Sequence, residues 1–126
     1  MTPEQKIKRQ IVMEATGAET YEHLMTGDEV DAAYADLRDK GKHYDVLYEV
    51  REGEYQTDIE APYSRHYESR SVAAKCCDGS YVGWTYWYGG GKHSEPEAVD
   101  WMDEAYNLTV AEEQKMVTVQ TWQKTA

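Results

Sequence analysis

Residues 66–89 read HYESRSVAAKCCDGSYVGWTYWYG, and this stretch decides the fold. Two runs of alternating aromatic, small and β-branched residues flank Asp78-Gly79, a dipeptide typical of two-residue hairpin turns. The pattern predicts an antiparallel hairpin in which Val72 faces Thr85. Both faces of this hairpin are partly apolar, so we expect helices to cover one face and something else to shield the other.

Helices are predicted on the N-terminal side of the hairpin. Residues 2–5 (TPEQ) combine a capping threonine, a proline at the first helical position and a glutamine that can return the cap hydrogen bond. Apolar residues then recur at helical spacing until Gly17, which predicts the end of this helix. A short helix is predicted over residues 18–25. Residues 28–40 have one apolar face and one acidic face, which is typical of a helix that packs on a core.

The remaining segments predict three strands and one more helix. Residues 43–51 and 54–61 are predicted as strands joined by a tight turn, because aromatic and β-branched residues alternate in them. Residues 95–107 follow a capping box with an early proline and are predicted as a helix. Residues 115–124 alternate again and predict a last strand.

Together these elements predict a single α+β domain over residues 1–126. A helical N-terminal region at 1–40 would precede a region at 43–126 that holds the sheet and the helix 95–107. The N-terminal helices and one helix of the C-terminal half would pack on an antiparallel sheet of about four to five strands. A chain of 126 residues is large enough for one modest core and too small for two.

Charge is distributed unevenly along the chain. The 13 Lys and Arg residues against 24 Asp and Glu residues give a net charge of −11. Most of it comes from two blocks, residues 10–39 with eight carboxylates and one arginine, and residues 95–113 with seven carboxylates and no cation. Such charge disfavours direct binding to nucleic acid or to an anionic membrane, and it favours a protein partner with a basic surface.

The acidic helix faces supply the first functional hypothesis. Carboxylates three and four positions apart line up along a helix, at a density comparable to that of phosphates along a duplex. Such a surface could occupy a nucleic-acid site on a basic partner, although acidic faces that merely keep the domain soluble are the alternative. The candidate partner-binding residues are Asp28, Asp36, Asp39, Glu97, Asp100, Asp103 and Glu104.

Residues 89–94, GGGKHS, supply a second hypothesis, a site for a nucleotide or a small anion. A glycine-rich turn before a helix can direct backbone N–H groups at an anion, and Lys92 would add a positive charge. The spacing is not that of a P-loop, and a plain connection from strand to helix is the alternative. The candidate ligand-binding residues are Trp84, Tyr86, Gly89, Gly90, Gly91, Lys92, His93 and Ser94.

Little in the sequence indicates an enzyme. His43 with Asp45, and His66 with Glu68, would each lie on one face of a strand, which is a weak basis for acid–base or metal chemistry. The two adjacent cysteines lack the spacing of a zinc site and the electropositive setting of an activated thiolate. We therefore expect no catalytic residues, no metal and no cofactor. The sequence has no secretory signal or membrane-spanning run, which favours a cytoplasmic protein.

Residues 71–108 resemble a block found in small proteins of unassigned function that bacteriophages, prophages and plasmids carry. The core of the resemblance is VGWTYWYGGGKH-x-EPE, residues 82–97. The resemblance implies no reaction and no established site, and it does not extend to the helices of residues 1–40. It implies an accessory protein that inhibits or modulates a defence or nucleic-acid-handling protein in a bacterial host cell. A homodimer is also compatible with exposed strand edges that need covering.

Overall fold

A computed structural model describes residues 1–17, 26–90, 96, 99–110, 122 and 124. The predicted helix over residues 18–25 lies outside the described residues, and so does the predicted strand 115–124 except for Trp122 and Lys124. The elements are α1 (Pro3–Thr16), α2 (Gly27–Asp39), α3 (Tyr44–Arg51), β1 (Tyr55–Gln56), β2 (Glu68–Lys75), β3 (Tyr81–Tyr88) and β4 (Tyr106–Leu108). They form three helices and one antiparallel sheet in the order β1-β2-β3-β4, which confirms the α+β class.

Helix α1 begins where its capping signal predicts, and α2 begins one residue before its predicted start at residue 28. At the start of α1, the Gln5 N–H donates to Thr2 Oγ1 at 3.2 Å, and the Thr2 N–H donates to Gln5 Oε1 at 2.9 Å. At the start of α2, the Glu29 N–H donates to Thr26 Oγ1 at 3.2 Å. The longer of the two is α1, with 14 residues. Within the described ranges, none of the helices has the length and apolar character needed to cross a membrane.

The predicted strand over residues 43–51 is wrong, because this segment forms α3. Its apolar residues fit both the two-residue repeat of a strand and the 3.6-residue repeat of a helix. Val46, Leu47 and Val50 recur at the helical spacing and pack on the core cluster. Tyr44 and Tyr48, which an alternating strand would have buried on one face, are about half exposed. The helical arrangement also brings Arg51 to the sheet, where its side chain is buried.

The hairpin is confirmed, but its register is shifted by one residue from the prediction. Val72 faces Trp84 and not Thr85. The loop has three residues instead of two, since the Cys76 N–H donates to Ser80 O at 2.7 Å and Gly79 takes the positive φ of 87° that such a loop requires. The shift puts Val72 and Ala74 of β2 on the same face as Val82 and Trp84 of β3, toward the helices.

Asp78 closes this turn through its side chain. Its Oδ1 accepts hydrogen bonds from the Ser80 N–H at 3.0 Å and the Ser80 hydroxyl at 2.6 Å. Its Oδ2 lies 3.4 Å from Nη2 of Arg9, a buried residue of α1. The hydrogen bonds from Ser80, followed by the charge of Arg9, lower the pKa of Asp78 to about 2. Asp78 therefore links residues within the turn and also connects the turn to α1.

Replacing Asp78 with asparagine is expected to lower the free energy of unfolding by about 1 kcal/mol at pH 7. The effect is small because 47% of the Asp78 side chain is exposed, and water screens its ion pair. The pKa of Asp78 is lower in the folded protein than in the unfolded chain. Its contribution is therefore complete above about pH 4 and is lost as the pH falls toward 2. Urea unfolding of the variant and the unaltered protein at pH 7 and pH 2 checks this. An equal difference in their unfolding free energies at both pH values would contradict it.

Two outer strands complete the sheet and differ from the predictions. Of the predicted strand 54–61, only Tyr55–Gln56 pairs with β2. The predicted helix 95–107 is wrong over the described residues 99–107, since bends and turns precede β4 and its residues pair with β3. The apolar positions of this segment cover about half of a helical wheel, too broad an arc for a clear amphipathic face. Pairing beside β3 instead lets Trp101 be buried.

The core lies between the helices and one face of the sheet. Ile7 and Ile11 of α1 pack in one cluster with Val72, Val82 and Trp84 of the hairpin. Because α1 contacts α2, α3, β3 and β4, it is the central element of the fold. On the opposite face Gly83 has no side chain, and a Cβ there would lie 2.7 Å from both Leu108 Cδ1 and Tyr106 Cε2. The absence of a side chain lets β4 residues cross over β3.

Candidate interaction surface

Four carboxylates from three parts of the chain meet on one surface beside the first turns of α1. Lys8 Nζ lies 3.4 Å from Glu4 Oε1 and 3.9 Å from Asp31 Oδ1 of α2. Glu4 also lines a shallow cavity of about 310 Å³ together with Asp100 and Asp103. We call Glu4, Asp31, Asp100 and Asp103 the acidic patch. In the described part of the chain, Lys8 forms the only ion pairs with these four carboxylates.

The acidic patch rests on a packed base. Trp101, which lies between the two acidic residues of its segment, is buried with its ring centroid 5.5 Å from that of Trp84. On the other side, Gln5 Nε2 donates to Asp31 Oδ2 at 3.0 Å. The buried Trp101 therefore anchors the segment that carries Asp100 and Asp103 at the surface. The sequence had predicted that a helix would carry them.

Asp36 and Asp39, two of the predicted partner-binding residues, each form an ion pair with a residue near the end of α2. Asp36 Oδ2 lies 2.9 Å from Lys40 Nζ, and Asp39 Oδ1 lies 3.8 Å from Arg38 Nε. All four side chains are largely exposed. This end of α2 therefore carries little local excess of negative charge, in contrast to the acidic patch.

The other predicted partner-binding residues are more dispersed. Asp28 is exposed in the first turn of α2, Glu104 is exposed one residue beyond the acidic patch, and Glu97 lies outside the described residues. The structure thus joins two of the predicted residues to Glu4 and Asp31, which the sequence did not single out. No local signal could have found them, because the packing of α2 on α1 brings them together.

Of the predicted ligand-binding residues, the structure rules out Trp84 as a stacking platform and leaves residues 91–94 untested. Trp84 is fully buried, and its Nε1 donates to Arg51 O at 2.8 Å, so this ring belongs to the core and cannot stack on a ligand. Gly89 and Gly90 follow β3 and are exposed and half-buried, respectively. The remaining candidates, Gly91, Lys92, His93 and Ser94, lie outside the described residues.

Tyr86, the second predicted stacking residue, is already engaged by the protein's own cations. The guanidinium carbons of Arg51 and Arg70 lie 4.7 and 5.0 Å from its ring centroid, and the Tyr88 ring stacks beside it at 5.4 Å. Both Nη atoms of Arg51 also donate to Trp87 O, at 3.2 and 3.1 Å. A ligand ring on Tyr86 would have to displace a guanidinium group, so this geometry does not favour the ligand hypothesis.

The predicted pairing of histidines with carboxylates on strands is also wrong. His43 precedes α3, packs against the rings of Tyr34 and Tyr44, and is buried, and this burial lowers its pKa. Asp45 is exposed on α3, and His66 lies in the loop before β2. In the ranges the structure describes, no three His, Cys, Asp or Glu side chains are grouped so that they could hold a metal ion.

An apolar groove of about 480 Å³ lies on the sheet face opposite the helices. The register places Tyr55, Ala73 and Gly83 in one row of this face, and Tyr81 with Leu108 in the next. The Tyr55 and Tyr81 ring centroids are 6.4 Å apart. We call this site the apolar groove, and its apolar lining consists of Tyr55, Ile59, Ala73, Tyr81, Leu108 and Val110.

Comparison with known proteins adds no family assignment to this geometry. We found no match to the chain among protein-family models, among curated proteins or among solved structures. The functional argument therefore depends on the surfaces of this chain.

Proposed function

We propose that the protein is a non-enzymatic binding protein whose acidic patch contacts a basic surface of a host protein and thereby inhibits or modulates it. The observation that carries the proposal is the convergence of Glu4, Asp100 and Asp103 around one shallow cavity, with Asp31 joined to Glu4 through Lys8. Lys8 contacts Glu4 and Asp31, and among the described residues Asp100 and Asp103 form no ion pair. The surface therefore retains a local excess of negative charge that a cationic partner can neutralise.

The character of the partner follows from the charge and from the resemblance. A net charge of −11 repels nucleic acid and anionic membranes but speeds encounter with a basic protein. The resemblance of residues 71–108 to proteins of mobile elements supports a bacterial cytoplasmic host protein that takes part in defence or handles nucleic acid. In this proposal the acidic patch occupies the basic surface that normally contacts phosphates.

Two matched double variants test the acidic patch. Asp100→Asn with Asp103→Asn is expected to weaken binding of the host protein about tenfold, since two exposed ion pairs contribute about 0.7 kcal/mol each. Asp36→Asn with Asp39→Asn changes the net charge equally, but its carboxylates already have partners at Lys40 and Arg38. This control is expected to change the dissociation constant less than twofold.

The partner for these measurements comes from a bacterial lysate passed over the immobilised protein and eluted with rising salt. We expect a basic protein that elutes at moderate ionic strength, because salt screens exposed charge pairs, and we expect duplex DNA to compete with the immobilised protein for it. If both double variants weaken binding equally, net charge and not the acidic patch is responsible. If no protein elutes in a salt-dependent way, the proposed function is wrong.

A further inference from the structure

We propose that the apolar groove binds a short partner segment in which one large apolar side chain is flanked by lysine or arginine. This inference rests on the proposed function, because it assigns the recognition chemistry of the basic partner. It concerns a different surface from the acidic patch, since the groove lies on the face of the sheet that the helices do not cover.

The first argument is the exposure of apolar side chains in one place. Tyr55 is 51% exposed, Ile59 42% and Val110 53%, and all three line the groove. Tyr81 and Leu108, both half-buried, continue the same surface. Single exposed apolar residues are ordinary, but a contiguous set in a concave site marks a surface that binds something.

The second argument is the size and shape of the site. A volume of about 480 Å³ accommodates a tryptophan or leucine side chain and the backbone beside it. The rings of Tyr55 and Tyr81 meet at an interplanar angle of 56°, which gives the groove an aromatic wall. Such walls suit aromatic and aliphatic anchors, the side chains that dominate the energetics of protein interfaces.

The third argument is charge. Asp58 lines the groove, and Glu60 is exposed directly after the groove residue Ile59. Among the described residues, neither of these two carboxylates forms an ion pair. Residues 52–64 contain four carboxylates and no lysine or arginine, whereas Lys75, opposite Tyr81 in the ladder, contributes one positive charge. An apolar floor beside Asp58, in this acidic segment, matches an apolar anchor with cationic neighbours.

The same charges argue against a second copy of this chain as the occupant. Docking two grooves together would bring Asp58 of each copy toward that of the other, between molecules that each carry −11. Like charges brought together at an interface cost several kcal/mol. Charge complementarity therefore selects a cationic partner segment.

Peptide titration monitored by NMR on the full-length ¹⁵N-labelled protein tests the proposal. The probe is the capped peptide Lys-Lys-Trp-Lys-Lys, and the controls are Lys-Lys-Ser-Lys-Lys and Glu-Glu-Trp-Glu-Glu. We expect the probe to shift the amide signals of Tyr55, Ile59 and Leu108 in a saturable way. The serine control should bind the groove at least tenfold more weakly, and the acidic control should leave these signals unchanged.

A pair of variants makes the site assignment specific. Ile59→Ser removes an apolar wall residue and is expected to weaken the probe at least fivefold. Tyr63→Ser is the matched control, because Tyr63 is 89% exposed and lies outside the groove lining, and it should bind the probe as the unaltered protein does. Thermal melting of both variants verifies that they fold.

The outcomes separate this inference from the proposed function. Probe-induced shifts confined to Asp100 and Asp103 would overturn the groove assignment and leave the acidic patch supported. Equal binding of the tryptophan and serine peptides at the groove would show charge attraction without an apolar anchor and would overturn it as well. A dimer in analytical ultracentrifugation that Ile59→Ser converts to a monomer would mean that a second copy occupies the groove, contrary to the proposal.

Discussion

Replacing Trp84 with alanine is expected to lower the free energy of unfolding by about 3–5 kcal/mol, a large part of the total for a domain of this size. Trp84 is fully buried at the centre of the core and packs beside Trp101. Its loss would leave a cavity that the surrounding side chains fill incompletely. It would also remove the donor that bonds the carbonyl of Arg51 at the end of α3. Equilibrium unfolding in urea measures the effect.

Two further variants give this measurement its controls. Trp122 is 85% exposed, and Trp122→Ala is expected to change stability by no more than about 0.5 kcal/mol. Trp84→Phe keeps an aromatic ring but loses the indole N–H, so we expect an intermediate cost of about 1–3 kcal/mol. A cost below about 1 kcal/mol for Trp84→Ala would contradict the placement of this ring in the core.

Replacing Gly53 with alanine is expected to cost about 2–4 kcal/mol, from two effects that add. Gly53 has a φ of +76°, where an L-residue with a side chain is strained. A Cβ at this position would also lie 2.6 Å from Cβ and 2.8 Å from Cγ2 of Val72. Val72 is buried in the core and has little room to move. Urea unfolding and the change in melting temperature both report this cost.

Gly41→Ala is the matched control for that substitution. Gly41 has a φ of +67°, close to that of Gly53, but nothing lies within 4 Å of a Cβ built there. Only the backbone strain should remain, and we expect about 1–2 kcal/mol. If the two variants were equally destabilised, the contact between residue 53 and Val72 would have no energetic role.

The elements that could be predicted from the sequence carry strong local signals. The start of α1 is specified by four consecutive residues whose side chains and backbone bond one another, and α2 has a clear apolar face. The hairpin is specified by Asp78-Gly79 between two alternating runs. Its register was missed because the length of the loop depends on hydrogen bonds of Cys76 and Ser80 that the dipeptide alone does not determine.

The elements that could not be predicted are decided by contacts between distant residues. Residues 44–51 are helical because Val50 and Arg51 reach the hairpin that way, although their pattern also fits a strand. Residues 99–105 are irregular because burying Trp101 against Trp84 and pairing β4 with β3 outweigh the helix propensity of the segment. When the apolar residues of a short segment fit both a helix and a strand, the residues it packs against decide which of the two it forms.

The candidate site was predictable only in part for the same reason. Asp100 and Asp103 follow from the acidic composition of their segment, but their meeting with Glu4 depends on how the chain returns to α1. The apolar groove had a weak signal in the alternation of Tyr55 and Ile59. Its second wall, Leu108 and Val110, lies just beyond the predicted helix 95–107, where no element was predicted.

The two walls of the apolar groove are attached to the hairpin by very short ladders. The β1 strand pairs through two residues and β4 through three, whereas β2 and β3 pair through eight. Each wall can therefore open by breaking a few backbone hydrogen bonds while the long ladder and the core beneath it stay intact. The free energy needed to widen the groove is then set by these short strands and not by global unfolding. In the proposed role of the groove, anchors of different size then enter at a modest energetic cost.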